Sequence, residues 1–275
     1  MGSVVTFWGL KAGQGATSSN LISVAAINGM DYHHRTLLSN TQFDSNTIEQ
    51  AFINSNRTIN TLHNYSTLGL DQLENLARSK QLSNNSIKDY TVPIFAGLDL
   101  LPSTSKPSSD MHTNITDVIG SIYQSSKNVY DLTLVDVHPG DNKLTNEILH
   151  HSDLIVVNLN QNVIVLKAFF ELIKQKPDLF SKMIIVIGQY DYSSKYTIKN
   201  ISRTFKSKIP VYAIPHNSNF MDACNEQQVV EFFLKRKNIN STHEDYSFME
   251  AARYLNKAIF KALEIDHRLY EERED

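Results

Sequence analysis

Val4-Val5-Thr6-Phe7-Trp8-Gly9-Leu10-Lys11-Ala12-Gly13-Gln14-Gly15-Ala16-Thr17-Ser18 opens a chain of 275 residues. Val4 to Trp8 is an apolar run of strand length, and in Thr17 to Ile27 the side chains of Leu21, Val24, Ala25 and Ile27 share one helical face. Between them lies a loop with two glycines in three residues. Glycine is otherwise scarce, at ten in the whole chain, so the cluster stands out. Strand, glycine loop and helix in this order form a phosphate cradle, because the free N–H groups and the dipole of the helix start point at an anion.

The same alternation continues beyond the loop. Apolar runs at Thr36 to Ser39, Val92 to Ala96, Leu132 to Val135, Leu154 to Leu159, Met183 to Ile187 and Val211 to Ile214 read as strands, the second of them buried and closing in Gly97. Helical stretches are expected at Ile48 to Ile53, Asp71 to Arg78, Thr113 to Lys127, after Gly140, and at Val163 to Lys174, Ile198 to Phe205 and Val229 to Lys237. A last helix over 247–270 starts with Ser247 as N-cap and Glu250 three residues on. Leu101 to Ser109 reads as a Pro/Ser/Thr-rich loop. This pattern predicts a doubly wound α/β fold, one domain over 1–275, with a mostly parallel sheet covered by helices on both faces.

Composition fits a folded, soluble protein: 41% apolar, 20% charged, 26 basic against 29 acidic residues. A single cysteine, Cys224, excludes an intramolecular disulfide and a thiolate metal site and fits a reducing cytoplasm. The N-terminus has no basic flank before an apolar run, and no stretch approaches the ~20 apolar residues of a membrane span. Charge is uneven. Residues 167–237 hold 12 basic and 6 acidic side chains, while 238–275 hold 5 and 9. The basic segment is either a face for phosphate-rich partners, with Lys195, Lys199, Arg203, Lys206 and Lys208 as candidates, or a set of solvated lysines.

A standard P-loop has a lysine directly before its Ser/Thr, and Ala16 stands there instead. Lys11, Gly13, Gly15 and Thr17 match the deviant Walker A pattern Lys-Gly-Gly-x-Gly-Lys-Thr/Ser. Tyr130 to Gly140 is a buried run ending Asp136-Val137-His138-Pro139-Gly140, and Ile214-Pro215-His216-Asn217 precedes a further helix. With these motifs the chain resembles the ParA/MinD group of deviant Walker ATPases, of the SIMIBI class of P-loop folds, and within them the CpaE/TadZ-like proteins of pilus assembly. The resemblance covers nearly the whole length.

It implies ATP or ADP with Mg²⁺, held by Lys11, Gly13, Gln14, Gly15, Ala16, Thr17 and Ser18, with Thr17 and Asp136 serving the metal. It implies adenine recognition near Gln189 and Pro215. It further implies a homodimer, in which the lysine matching Lys11 reaches the partner's nucleotide, and a protein partner in an assembly or localisation system. Two departures fall in the active site: Ala16 replaces the second lysine, and Thr41 replaces the carboxylate that orients the attacking water. Hydrolysis is therefore expected to be very slow or absent, since charge stabilisation and positioning are both reduced. The alternative is a working, DNA-binding partition ATPase.

Other chemistries find little support. The adjacent pairs His33-His34 and His150-His151 lack the three-or-four spacing of a helical metal site. No Gly-x-Ser-x-Gly elbow occurs. His138 lies within the Asp136 loop, as a group facing a γ phosphate or as a plain loop residue. The acidic end Tyr270 to Asp275 disfavours a membrane-bound last helix.

Overall fold

The computed structural model describes residues 1–32, 34–41, 47–52, 68–83, 86–103 and 115–266. In chain order its elements are β1 (Ser3–Gly9), α1 (Thr17–Ile27), β2 (Thr36–Asn40), α2 (Thr47–Phe52), α3 (Leu70–Arg78), α4 (Ser86–Asp89), β3 (Val92–Phe95) and β4 (Leu98–Leu101). There follow α5 (Ile119–Ser126), β5 (Leu132–Asp136), α6 (Lys143–His151), β6 (Leu154–Leu159), α7 (Val163–Ile173), β7 (Met183–Tyr190), α8 (Ile198–Phe205), β8 (Val211–Pro215), α9 (Ser218–Asn225), α10 (Val229–Lys235) and α11 (Tyr246–Ala262).

The strands form one eight-stranded sheet in the order β3-β4-β2-β5-β1-β6-β7-β8. All pairs are parallel except β3 with β4. The expectation of a doubly wound, mostly parallel α/β sheet holds. Side-chain alternation along β1 shows how the two faces are filled: Val4 and Trp8 enter one core with α3, α5, α6 and α7, while Val5 and Phe7 enter the other with α1, α9, α10 and α11. Since β1 is flanked by β5 and β6, its carboxyl end is the crevice where connections leave toward opposite halves of the sheet.

Several expectations need correction. Val92 to Phe95 is not a buried central strand; it is the half-exposed edge of an antiparallel hairpin, turned through Ala96 (φ +41°) and Gly97 (φ +77°). Its partner β4 occupies Leu98–Leu101, where the sequence showed only the approach to a loop. The expected helix from Thr113 divides into a 3-10 turn at Ile115–Asp117 and α5. Ser247 does not cap α11, which begins one residue earlier after Asp245. That helix ends at Ala262 with Leu263 as its C-cap, short of the expected 270; Ile53, Thr113, most of the Leu101 to Ser109 loop and residues 267–270 lie outside the described residues.

Candidate functional site

The glycine loop rests on the carboxyl ends of β6 and β7. A Cβ on Gly15 would stand 2.5 Å from the carbonyl oxygen of Asn158, and one on Gly188 would stand 2.3 Å from that of Gly15. Three layers of backbone therefore pack in direct contact, which only glycine permits. Asn20 fastens the arrangement by donating from Nδ2 to Gly15 O at 3.2 Å and to Asn158 Oδ1 at 2.8 Å. Gly13 is left-handed (φ +70°) and a side chain there would meet nothing within 4 Å. Ala16, also left-handed (φ +53°), stands directly before α1 and offers no side-chain cap. The first turn of α1 carries no acidic residue of its own.

Thr17 and Ser18 follow on the first turn. Ser18 Oγ donates to Asp136 Oδ2 at 2.5 Å. Asp136 ends β5 and is buried, at 1% exposure. Its backbone oxygen accepts from the amide of Thr41 at 2.9 Å and from Thr41 Oγ1 at 3.2 Å. Thr41 is thus a buried brace for Asp136. The next loop is stitched to β1 by Val137 N to Phe7 O (3.1 Å), Gly140 N to Gly9 O (2.9 Å) and Trp8 Nε1 to Gly140 O (2.9 Å).

Above this floor lies a cavity of about 400 Å³, lined by Lys11, Ala12, Gly13, Ala16, Thr17, Ser18 and Ser19, by Thr47, by Val137 to Pro139 and by Gln189. That volume suits a small-molecule ligand. Among the described residues, Lys11 and His138 are the lining side chains that can carry positive charge, and none that lines it is a carboxylate. His138 bonds through Nδ1 to Pro139 O at 2.9 Å, and its own carbonyl accepts from Thr145 Oγ1 at 3.0 Å. Gln189 is left-handed (φ +50°) in an irregularity of β7 between Ile187 and Tyr190, which turns it to the cavity mouth.

Not every candidate reaches the cavity. Gly15 lies beneath it, and Gln14 is partly buried with a buried Oε1 that has no hydrogen-bond partner. Pro215 pairs with Tyr190 at the end of β8 and is not a lining residue. The residue types fit a Mg²⁺-polyphosphate: uncapped backbone N–H groups, one lysine, two hydroxyls and a buried carboxylate. Among the described residues no three His, Cys, Asp or Glu side chains gather as a metal cage.

The remaining candidates are structural or open. His150 and His151 face Asp178 and Glu147, at 3.6 and 3.0 Å; His33 lies outside the described residues. Burial pushes the Cys224 thiol up to about 12, leaving no thiolate at neutral pH. Of the basic segment, Lys174, Lys176, Lys235 and Arg236 are neutralised by Glu171, Asp141, Glu231 and Asp245. No helix among the described residues is long and apolar enough to cross a membrane.

No protein-family model and no curated protein matches this sequence. Solved structures do share its fold. The chain is similar to a ParA family ATPase from Chlorobium tepidum TLS, with TM-score 0.73 and 15% identity over 94% of this chain and 99% of that one. It is similar to the septum site-determining protein MinD of Pyrococcus horikoshii OT3 complexed with Mg-ADP (TM-score 0.66, 13% identity, 95% and 99% covered). A plasmid partition protein of Borrelia burgdorferi B31 bound to AMPPNP matches with TM-score 0.65 and 15% identity over 95% and 99%. At such identities the likeness establishes the ParA/MinD fold.

Proposed function

We propose that the chain is a ParA/MinD-type nucleotide-binding protein, a single domain that holds ATP or ADP with Mg²⁺ and acts as a dimeric positioning or assembly factor with little or no hydrolysis. The observation that carries this is the backbone cradle of Gly15 between Asn158 and Gly188, set beside the Ser18 to Asp136 bond. Bound Mg²⁺-nucleotide would supply charge and shape to the cavity. Lys11 and the N–H groups of the loop would bind its phosphates, Thr17 and Ser18 would offer hydroxyls to the cation, Asp136 would orient them, and Gln189 would meet the base at the mouth.

Weak turnover is supported by two side chains. Ala16 brings no cation to the phosphates, and Thr41, whose hydroxyl is spent on the Asp136 backbone, brings no carboxylate to orient water. The site then reports occupancy. A pilus or secretion role for the dimer, in the cytoplasm, rests on the resemblance to CpaE/TadZ-like proteins. Calorimetric titration with Mg-ATP, coupled to sedimentation and phosphate release, tests the reading: binding with dimerisation and negligible release is expected, while rapid release would overturn the switch without turnover, and no binding at millimolar ATP would overturn the nucleotide site.

The second reading, a DNA-binding partition ATPase, is favoured by the unpaired cations around α8. It requires steady ATP turnover and a DNA affinity that falls steeply with salt.

A further inference from the structure

Helix α8 and the turns on either side of it carry a dense run of cations. Lys195, Lys199, Arg203, Lys206 and Lys208 are all exposed, and among the described residues none has a carboxylate within ion-pair distance. Lys199 and Arg203 sit four apart on one face, a like-charge spacing that destabilises a helix. The nearest acids are already engaged: Glu171 of α7 holds Lys174 at 2.7 Å, Asp178 faces His150, and Asp191 accepts from the Ser193 amide at 2.8 Å. No acidic residue occurs from 192 to 221.

Among the described residues two exposed large apolar side chains lie on the segments leading into α7 and α8, Ile164 in the first turn of α7 and Tyr192 in the loop before α8. Ile164 is 68% and Tyr192 67% exposed. Gln161 clasps the loop that carries Tyr192, through Asp191 O at 3.0 Å, Tyr196 O at 3.1 Å and the Asp191 amide at 2.8 Å. Phe170 of α7 stacks on Phe205 of α8 with ring centroids 4.5 Å apart, which joins the C-terminal ends of the two helices. An apolar anchor beside a cationic rim is the anatomy of a protein contact, since bare phosphates give Ile164 nothing to pack against.

We propose that this face docks the acidic C-terminal segment, residues 267–275, of a second copy of this chain. The segment opens with His267 and Arg268, then carries Leu269 and Tyr270 ahead of Glu271, Glu272, Arg273, Glu274 and Asp275, four acids against two arginines. Apolar side chains followed by carboxylates match Ile164 and Tyr192 followed by the α8 cations. The donor is another copy because α11 lies on the opposite face of the sheet and ends beside His34, whose Nε2 is 3.1 Å from Asp266 O, near the start of β2. Four strand spacings from β2 to β7, about 19 Å, plus a passage around the sheet would need the nine residues almost fully extended. Exchange between two copies instead gives two equivalent contacts and a closed pair. The inference does not depend on the nucleotide reading, and nucleotide-free protein isolates it.

Sedimentation of nucleotide-free protein tests it. Self-association is expected at low salt and should weaken at least about tenfold near 0.5 M salt, where screening shortens to a few Å. Reversing the tail (Glu271→Lys, Glu272→Lys, Glu274→Lys) or the helix (Lys199→Glu, Arg203→Glu, Lys206→Glu) should each abolish it, and mixing the two variants should restore a pair. The tail variant stands alone as a test if the helix variant does not fold. A monomer at low salt, a pair indifferent to the tail reversal, or failure of the mixture to reassociate overturns the proposal. Duplex DNA held by α8 with the tail reversal leaving self-association unchanged overturns it in favour of a nucleic-acid face.

Discussion

The indole Nε1 of Trp8 donates to the carbonyl of Gly140 at 2.9 Å, tying the only tryptophan of the chain to the loop that follows Asp136 and lines one side of the cavity. Trp8 is buried against Phe169 of α7, so its ring senses both the loop and the core behind it. Addition of Mg-ATP should change its emission, and Lys11→Ala should shift the response to higher ATP. Trp8→Phe removes the donor and should cost about 1 kcal/mol in urea unfolding.

The two close-packed glycines and the open one should part company. Gly188→Ala drives a methyl into the carbonyl of Gly15 and to within 2.9 Å of Asn20 Nδ2, and should destabilise by about 1–3 kcal/mol while abolishing nucleotide binding. Gly13→Ala meets no atom and bears only the left-handed backbone cost, about 1 kcal/mol. Denaturation midpoints of the two variants decide the ranking.

Ala16→Lys adds a cation without a new backbone penalty, because the residue already there is non-glycine at φ +53°. ATP affinity should rise roughly tenfold through a charged hydrogen bond. Phosphate release should stay low while Thr41 remains, which calorimetry and a release assay measure on the same sample.

Asp245 gathers Asn217 Nδ2 (2.7 Å), Asn219 Nδ2 (3.0 Å) and Arg236 Nε (2.5 Å) at the junction of α9, α10 and α11. Burial opposes its charge, yet these hydrogen bonds outweigh that and hold the carboxyl below its ordinary value. A depressed folded value means stability that is complete above about pH 5 and is lost as pH falls through the folded value. Arg236→Met keeps packing against Phe232 but strands the carboxylate; it should cost about 3 kcal/mol at neutral pH and move the acid transition to higher pH, read by circular dichroism.

What the sequence made visible was local. The glycine loop, Thr17, Ser18 and Asp136 announce themselves because their chemistry and their spacing along the chain are the same thing. Asn20 and Asn158 did not, since their contact spans 138 positions and exists only after β6 is laid beside β1. Pro215 was placed at the cavity by its motif, but pairing with Tyr190 leaves Gln189 at the mouth. The strand Leu98–Leu101 was hidden because four residues run straight into Pro102 and a serine-rich tract. Ser247 looked like a cap, yet Asp245 starts the helix through contacts with α9 and α10 that no window of neighbouring residues contains.

The edge hairpin has one further effect. Pro93, paired to Asp99 in the outermost strand, presents no amide hydrogen, so a foreign strand laid along β3 would meet a gap in its ladder. Strand addition is thereby disfavoured at that border, and β8 at the other border carries the same device, with Pro210 directly before it and Pro215 at its end.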